Sequence, residues 1–481
     1  MSRIASEQLH GTGVAKQDFI NTLPSELLIE LFLLSATIWQ QSSHQYPFMK
    51  RVLCTVCRRW YSIMVSTPSF WASIRIFPSN ESYKEDKLLS RLSELAGRTG
   101  ILPLHIICHY PAEIEAEIAV KIIDHLFRLI SISRWKKVTI SGSNSPRSLP
   151  LCAVPQGERF TILEALEVLS ENVDDSILDL FEATGAKFRR LKAPKARLPK
   201  LATFDIFKSL KELDTYQHLN SEVGFTTGQL SLFGWFSELK VLHLDSLRSV
   251  STVPLSKILT RLYIRLLRTN QIEIITGLSL RHLHVDHLTG ARVSSRPIFP
   301  TLQSLQVATG DFWSLLTLNI PELERLGIGS RGVPLNTGTD SMTKILEEPI
   351  YSLSPKSAML VLPVNMKVLA CFLRRSEFLE DLTFSLDRYA LGEAEELIQT
   401  FCRPKIDGKS QEFNSPQLRT LRIMLRWCQV GSGRLTLIPT ASCRDVAERI
   451  LEARAGTPLA SVTCEWDDGY EITIHATNKA L

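Results

Sequence analysis

The chain has 481 residues, 44% hydrophobic and 22% charged, with a net charge of +5 from 55 basic and 50 acidic side chains. This is the composition of an ordinary globular protein long enough for a small module plus one large or two medium domains, and so slight a positive surplus does not argue for a polyanionic partner. No run approaches the apolar length of a membrane span, and nine cysteines without framework spacing, behind an N-terminus lacking an apolar signal core, point to reduced thiols in the cytosol, the nucleus or both.

Residues 1–17 read as a flexible tail. The first helix is expected from Leu23 to Ile38, where Leu23, Leu27, Leu28, Leu31, Phe32, Leu34 and Ile38 recur at three- and four-residue spacing. Thr22 is placed to cap it, Pro24 sits in the first turn where no N–H is needed, and Glu26 adds negative charge at the positive helix end. A second helix fits Phe48 to Val65, with Val52, Leu53, Val56, Trp60, Ile63 and Met64 on one side and Pro68 as its stop. Two amphipathic helices of this length are marginal alone and need a partner surface, either the rest of the chain or another protein.

The Leu23-Pro24-Ser-Glu26-Leu27-Leu28 opening, followed by Val56-Cys57-Arg58-Arg59-Trp60 and a tail through Phe70 and Trp71 to Ile76, resembles an F-box of fungal type over residues 18–76. The segment between its helices, Ser35 to Pro47, is roughly ten residues longer than in the shortest members of that family. The resemblance implies a docking module. Leu23, Pro24, Glu26, Leu27, Leu28, Leu31 and Phe32 would meet the Skp-type adaptor of an SCF ubiquitin ligase, which links to a cullin. Val56, Cys57 and Trp60 match the block that completes the module. Read without the family, the same residues make an ordinary helical hairpin with Trp60 and Phe70 as core.

Residues 77–98 are expected to form a linker and helix, with the polar stretch Pro78 to Lys87 as the linker proper. From residue 99 a fold of α/β class follows. A helix and turn over Leu88 to Pro103 lead into a first strand at Leu102, Leu104 and Ile106. Trp135, Val138 and Ile140 form the next. The pattern Leu-x-x-Leu-x-apolar then recurs, led by Leu163, Leu210, Leu239, Leu259, Leu280, Leu302, Leu323, Leu379 and Leu418. From Leu242 to Leu326 the steps are 20, 21, 22 and 21 residues, the period of leucine-rich repeats. One such unit cannot bury its apolar face, whereas stacked units form a continuous core under a parallel sheet. Helices are expected over Glu113–Ile132, Val364–Arg374, Leu391–Cys402 and Arg444–Ala455. Residues 329–378 break the period with seven Gly or Pro positions and read as an inserted excursion carrying a short helix at Asp340–Glu348. The whole is a degenerate leucine-rich-repeat-like solenoid over residues 99–481.

Few motifs carry chemistry. His282 and His284 share one strand face, near Asp286 and His287, a pattern that fits a metal or, with Leu283 and Val285 inward, plain exposure on the concave face. Gly327-x-Gly329-x-x-Gly332 follows a strand, but Val333-Pro334 after it is poor helix and so a poor dinucleotide cradle. Cys54 and Cys57 lack a second pair at zinc spacing. Lys187 to Lys200 holds seven basic residues in fourteen, either an import signal or acidic-partner patch, or a solvated turn with Phe188, Leu191 and Leu198 inward. Nothing indicates a catalytic group, a metal, a cofactor or nucleic-acid binding. The expected role is a non-catalytic substrate adaptor, with a repeat scaffold acting outside a ligase as the alternative. The strand alternation makes His243, Asp245, Tyr263, Arg265, His282, His284, Asp286, Arg325 and Arg422 the candidate contacts to a target protein of unknown identity.

Overall fold

The computed structural model describes residues 22–40, 52–76, 87–109, 116–141, 158–169, 181–182, 185–193, 205–215, 235–246, 258–290, 297–310, 318–329, 355–363, 366–387, 401, 415–426, 440–455, 457–466 and 471–476. The chain divides into two compact units, residues 1–186 and 187–481. The tail at 1–17, most of the expected linker at 78–87 and the expected helix at 340–348 lie outside the described residues.

The first unit opens with helix α1 (Ser25–Gln40). Its first turn closes on the Pro24 carbonyl, which accepts from Leu28 N–H at 3.1 Å, so the helix starts one residue past the proline rather than around it. The expected second helix is interrupted. Residues 52–56 are helical, Cys57 is extended (φ −159°, ψ 168°), and α2 (Arg58–Ser66) starts afresh. Cys57 is the N-cap of α2, its sulfur accepting from the Trp60 N–H at 3.5 Å. Periodicity of side chains does not report a single backbone break, which explains why one continuous helix looked adequate. The restart brings Arg59 against α1, where its guanidinium donates to the Leu23 carbonyl and, at 3.4 Å, to Ser25 Oγ. Leu28, Phe32, Trp60, Ile63, Met64, Phe70 and Trp71 form the core of this helical module, with the Phe32 and Trp60 rings 4.6 Å apart.

The sheet of this unit begins earlier than expected. Strand β1 (Ser73–Ile76) pairs in parallel with β2 (Leu104–His109), which pairs with β3 (Trp135–Ser141) and then β4 (Ala165–Val168). Two rows are aligned across the four strands: Ile74, Ile106, Val138 and Leu166, then Ile76, Cys108, Ile140 and Val168. All eight are buried. The tail of the helical segment therefore supplies the first strand of the sheet, because Ser-Ile-Arg-Ile alternates as a strand does. Helix α3 (Lys87–Arg98) ties the two parts together. Its Leu95 packs against the helical core, and the Arg98 guanidinium lies 4.7 Å over the Trp71 ring. Helix α4 (Ala116–Leu129) follows β2, and its Phe127 stacks on Trp135 at 5.2 Å.

Among its described residues the second unit is a run of twelve paired strands. In chain order they are β5 (Arg190–Lys192), β6 (Glu212–Asp214), β7 (Val241–Ser246), β8 (Arg261–Arg268), β9 (His282–Thr289), β10 (Ser304–Gly310), β11 (Arg325–Ile328), β12 (Ser357–Pro363), β13 (Asp381–Asp387), β14 (Thr420–Arg426), β15 (Ser461–Trp466) and β16 (Glu471–His475). Each pairs in parallel with the next, except β16, which turns back antiparallel on β15. Every residue of the nine Leu-x-x-Leu-x-apolar triads, Leu163 to Ile423, is buried. In this unit Leu213, Leu242, Leu262, Leu283, Leu305, Leu326, Ala358, Leu382, Leu421 and Val462 occupy one register row. That row is the physical content of the period: each repeat adds one apolar rung to a shared core. The architecture is mixed α/β and consistent with leucine-rich-repeat-like stacking.

Three rungs carry substitutes that hid them. Phe188, Leu191 and Ala193 form one, within the basic stretch read as a turn, and Leu459, Val462 and Cys464 another. The third corrects the excursion at 329–378. There β12 continues the sheet with Ala358 and Leu360 inward, and α6 (Met366–Arg375) follows it as a repeat helix. The small α5 (Ile272–Thr276) fills the corresponding place between β8 and β9, and α7 (Thr440–Ala453) precedes β15. Just beyond α7, Arg454 is fully buried and donates to the carbonyls of Phe401 (3.3 Å) and Ser415 (2.9 Å).

Candidate functional site

Two surfaces merit attention, one in each unit. In the first unit, α1 separates its apolar residues into adjoining stripes. Leu28 and Phe32 are buried in the module core, while Leu27, Leu31 and Leu34, spaced by four and three residues, are exposed. Val52 and Val56, one turn apart, are exposed as well, and Cys57 and Trp60 belong to the core side. Leu23 is half-buried against that core, whereas Pro24 and Glu26 are exposed. The ten residues expected at an adaptor interface thus sort into two groups. Leu28, Phe32, Cys57 and Trp60, with Leu23 in part, build the module. Pro24, Glu26, Leu27, Leu31 and Val56 face outward. Leu34 and Val52 join the outward set and were recognisable only once the helix phase was known.

Polar side chains of β2, β3 and β4 interlock across the first sheet. Thr139 Oγ1 donates to Glu167 at 2.8 Å, so it accepts from His105 Nε2 at 3.0 Å, which puts the imidazole proton on Nε2. Burial, helped by the Lys137 charge, pushes His105 down to about 4. Burial pushes the Glu167 carboxyl up, but the Lys137 ammonium 2.6 Å away prevails and holds it below its usual range.

In the second unit, strand alternation turns the residues flanking the buried rungs onto the open face of the sheet. One row runs Asp214, His243, Tyr263, His284 and Gln306 across β6 to β10. His243 and Tyr263 stack at 4.1 Å and 7°, and Tyr263 meets His284 at 5.6 Å. Beside them Arg265 pairs with Asp245 at 3.1 Å, and His284 Nε2 meets Asp286 Oδ1 at 2.9 Å. The hydrogen bond raises His284 above the usual imidazole range and lowers Asp286. Burial lowers His243. These residues line a shallow cavity of about 240 Å³.

Six of the nine candidate contacts, His243, Asp245, Tyr263, Arg265, His284 and Asp286, converge on this cavity. Asp214 and Thr215 line it too; the same alternation applied to the Leu210 repeat would have found Asp214. The other three lie apart. His282 and Arg325 occupy a neighbouring row, while Arg422 sits five strands from β9 and is engaged by Glu465 at 3.0 Å and Glu471 at 3.9 Å. In the basic stretch, Arg190 and Lys192 are paired with Glu212 and Asp214 across β5 and β6. Residues 194–200 of that stretch lie outside the described residues.

Among the described residues, no group of three or more His, Cys, Asp or Glu is arranged to hold a metal ion. Burial, and after it the charges of Arg261, Arg325 and Arg281, lower the affinity of His282 for a proton, and those charges oppose a cation there. Gly329 closes β11 in a left-handed turn (φ 93°), and Gly332 lies outside the described residues. Also among the described residues, no helix is long and apolar enough to cross a membrane.

No family model matches the chain, and no curated protein matches it. Among solved structures, 19 chains match. One is the crystal structure of a TLR13–ssRNA13 complex, 12% identical, covering 75% of this chain and 56% of that one with a TM-score of 0.32. A likeness of that size carries no argument about what this chain binds.

Proposed function

We propose that the N-terminal module is an F-box and that the protein is the substrate-recognition adaptor of an SCF-type ubiquitin ligase. Its helices would hold a Skp-type adaptor, and through it a cullin. The repeat sheet would hold the target. The observation that best supports the reading is the split of α1: Leu28 and Phe32 close the module's own core, and Leu27, Leu31 and Leu34 remain exposed. A contiguous apolar stripe on a small soluble module is the kind of surface a partner covers. The role needs no catalytic side chain, since holding target lysines near a charged enzyme raises their effective concentration.

Co-purification with a recombinant Skp-type subunit tests it. The wild-type chain should retain the subunit, and a folded Leu27→Asp, Leu31→Asp double variant should not. Equal retention by both rejects the assigned surface. Cutting the chain at residue 76 is a poor test, because it removes β1 and unseats the sheet.

A second reading is a repeat scaffold that binds a protein without a ligase. It draws on the sheet-face row of His243, Tyr263 and His284, whose mixed aromatic and charged character suits a protein interface independently of the helices. Reconstituted ubiquitin transfer separates the two: a bound target left unmodified in the presence of Skp-type adaptor, cullin and charged enzyme favours the scaffold.

A further inference from the structure

Among the described residues, the sheet of the second unit finishes on a strand that is paired along one edge. β16 is last in the strand order and bonds antiparallel to β15. Which of its backbone groups are used follows from one hydrogen bond: Ala476 N–H donates to the Ala460 carbonyl at 2.9 Å, next to Ser461 opposite His475. Hydrogen-bonded pairs alternate along an antiparallel ladder, so Ile474 and Ile472 exchange bonds with Val462 and Cys464. The N–H and C=O groups of Glu471, Thr473 and His475 therefore point away from β15, and no described residue pairs with them. The side chains are incomplete in the same way. Val462 and Cys464 are buried, whereas Ile474 and Ile472, which continue their two rows, are half-buried. Sheet edges are commonly guarded by a lysine, a proline or a bulge. Glu471-Ile-Thr-Ile-His475 contains neither residue, and its register with β15 is unbroken.

We propose that β16 pairs with β16 of a second copy of this chain, antiparallel and centred on Thr473. The strand is complementary to itself in that arrangement. Thr473 meets its own counterpart, Glu471 lies opposite the partner's His475, and Ile472 lies opposite the partner's Ile474. The residues whose backbone groups are free fall in hydrogen-bonded pairs, so about six backbone bonds can close. The half-buried isoleucines meet across the closer, non-hydrogen-bonded pairs, and an imidazole N–H can donate to the carboxylate at either end. A parallel pairing would instead set Glu471 against Glu471, like charges that disfavour it. The two-fold contact is closed, since it consumes this edge in both copies and leaves none here for a third. One pair of five-residue strands is a small interface, so the association is weak and depends on concentration. It does not depend on what the helical module binds.

Sedimentation velocity of the full-length protein over roughly 1 to 300 µM, the range where a small interface shows itself, tests the pairing. The wild type should pass from monomer to dimer and no further. Thr473→Pro removes an N–H that the β15 ladder does not use. It should leave the urea midpoint near wild type and weaken dimerisation at least about tenfold. His475→Glu sets carboxylates opposite one another and should weaken it as well. Adding Glu471→His exchanges the two residues, keeps each pair intact and should restore the dimer, which a variant that merely failed to fold could not do. A wild type that stays monomeric throughout overturns the proposal. So does a dimer that neither Thr473→Pro nor His475→Glu weakens, or growth into ever larger species. A photo-crosslinking residue in place of Thr473 identifies the occupant of the edge. The chain itself is expected; capture of another protein's strand, with no crosslink between copies, overturns the proposal too.

Discussion

Truncating the exposed and the buried leucines of α1 should give opposite signatures. Leu27 and Leu31 retain 46% and 44% of their surface, together close to one whole leucine side chain. Burying a full leucine is worth about 1.5–3 kcal/mol, so covering both exposed halves with an adaptor contributes on that order. The Leu27→Ala, Leu31→Ala double variant should therefore bind a Skp-type subunit roughly 10- to 100-fold more weakly, with a urea midpoint close to wild type. Leu28, one residue away, is 1% exposed. Leu28→Ala leaves a cavity beside Phe32 and Trp60 and should cost about 2–5 kcal/mol of stability, because the lost transfer energy and the cavity add. Titration calorimetry against the recombinant subunit, paired with urea unfolding, reads both numbers. An unchanged dissociation constant for the double variant, in a folded protein, would refute the docking assignment. Equal destabilisation by all three truncations would refute the division of the helix into two stripes.

Three further outcomes follow from the packing and charge. Leu262 is fully buried between Leu242 and Leu283 in the central register row, so Leu262→Ala should lose about 2–5 kcal/mol in denaturant unfolding; a loss below 1 kcal/mol would mean the rungs do not share one core. Arg454→Ala removes the donors of the Phe401 and Ser415 carbonyls and should cost about 1–3 kcal/mol for each group left unsatisfied, visible as a lowered midpoint in the same assay. His105 titrates near 4 in the folded protein against 6.5 when free. Its folded value is depressed, so the unfolded chain binds the proton first, and stability should fall by up to about 3 kcal/mol as pH drops from 6.5 toward 4. His105→Gln should flatten that part of the stability–pH curve; an unaltered slope would place the titration elsewhere.

The local pattern of the chain was enough for the repeats, since a leucine that must point inward from every strand leaves a mark at a fixed step. It was also enough for the helices of the N-terminal module, whose apolar stripes recur with the turn of the backbone. Where Phe188, Ala358 or Val462 replaces the leucine the mark fades, although the rung is filled equally well, because the core requires apolar volume and not one residue type. The break at Cys57 was invisible for a different reason: it is a backbone conformation, and no side-chain period encodes it. The start of the sheet at Ser73 escaped because four alternating residues are too short to distinguish from the end of a helical segment.

The sequence by itself established which residues alternate inward and outward along each strand. Only the tertiary structure decided which outward residues are neighbours. His243, Tyr263 and His284 are about twenty residues apart along the chain and adjacent in space because parallel pairing sets each strand one step from the last. The same pairing leaves Arg422, an equivalent outward residue, among acidic partners at the far end of the sheet. Register, a property of two strands and not of one, is what converts a list of exposed positions into a site.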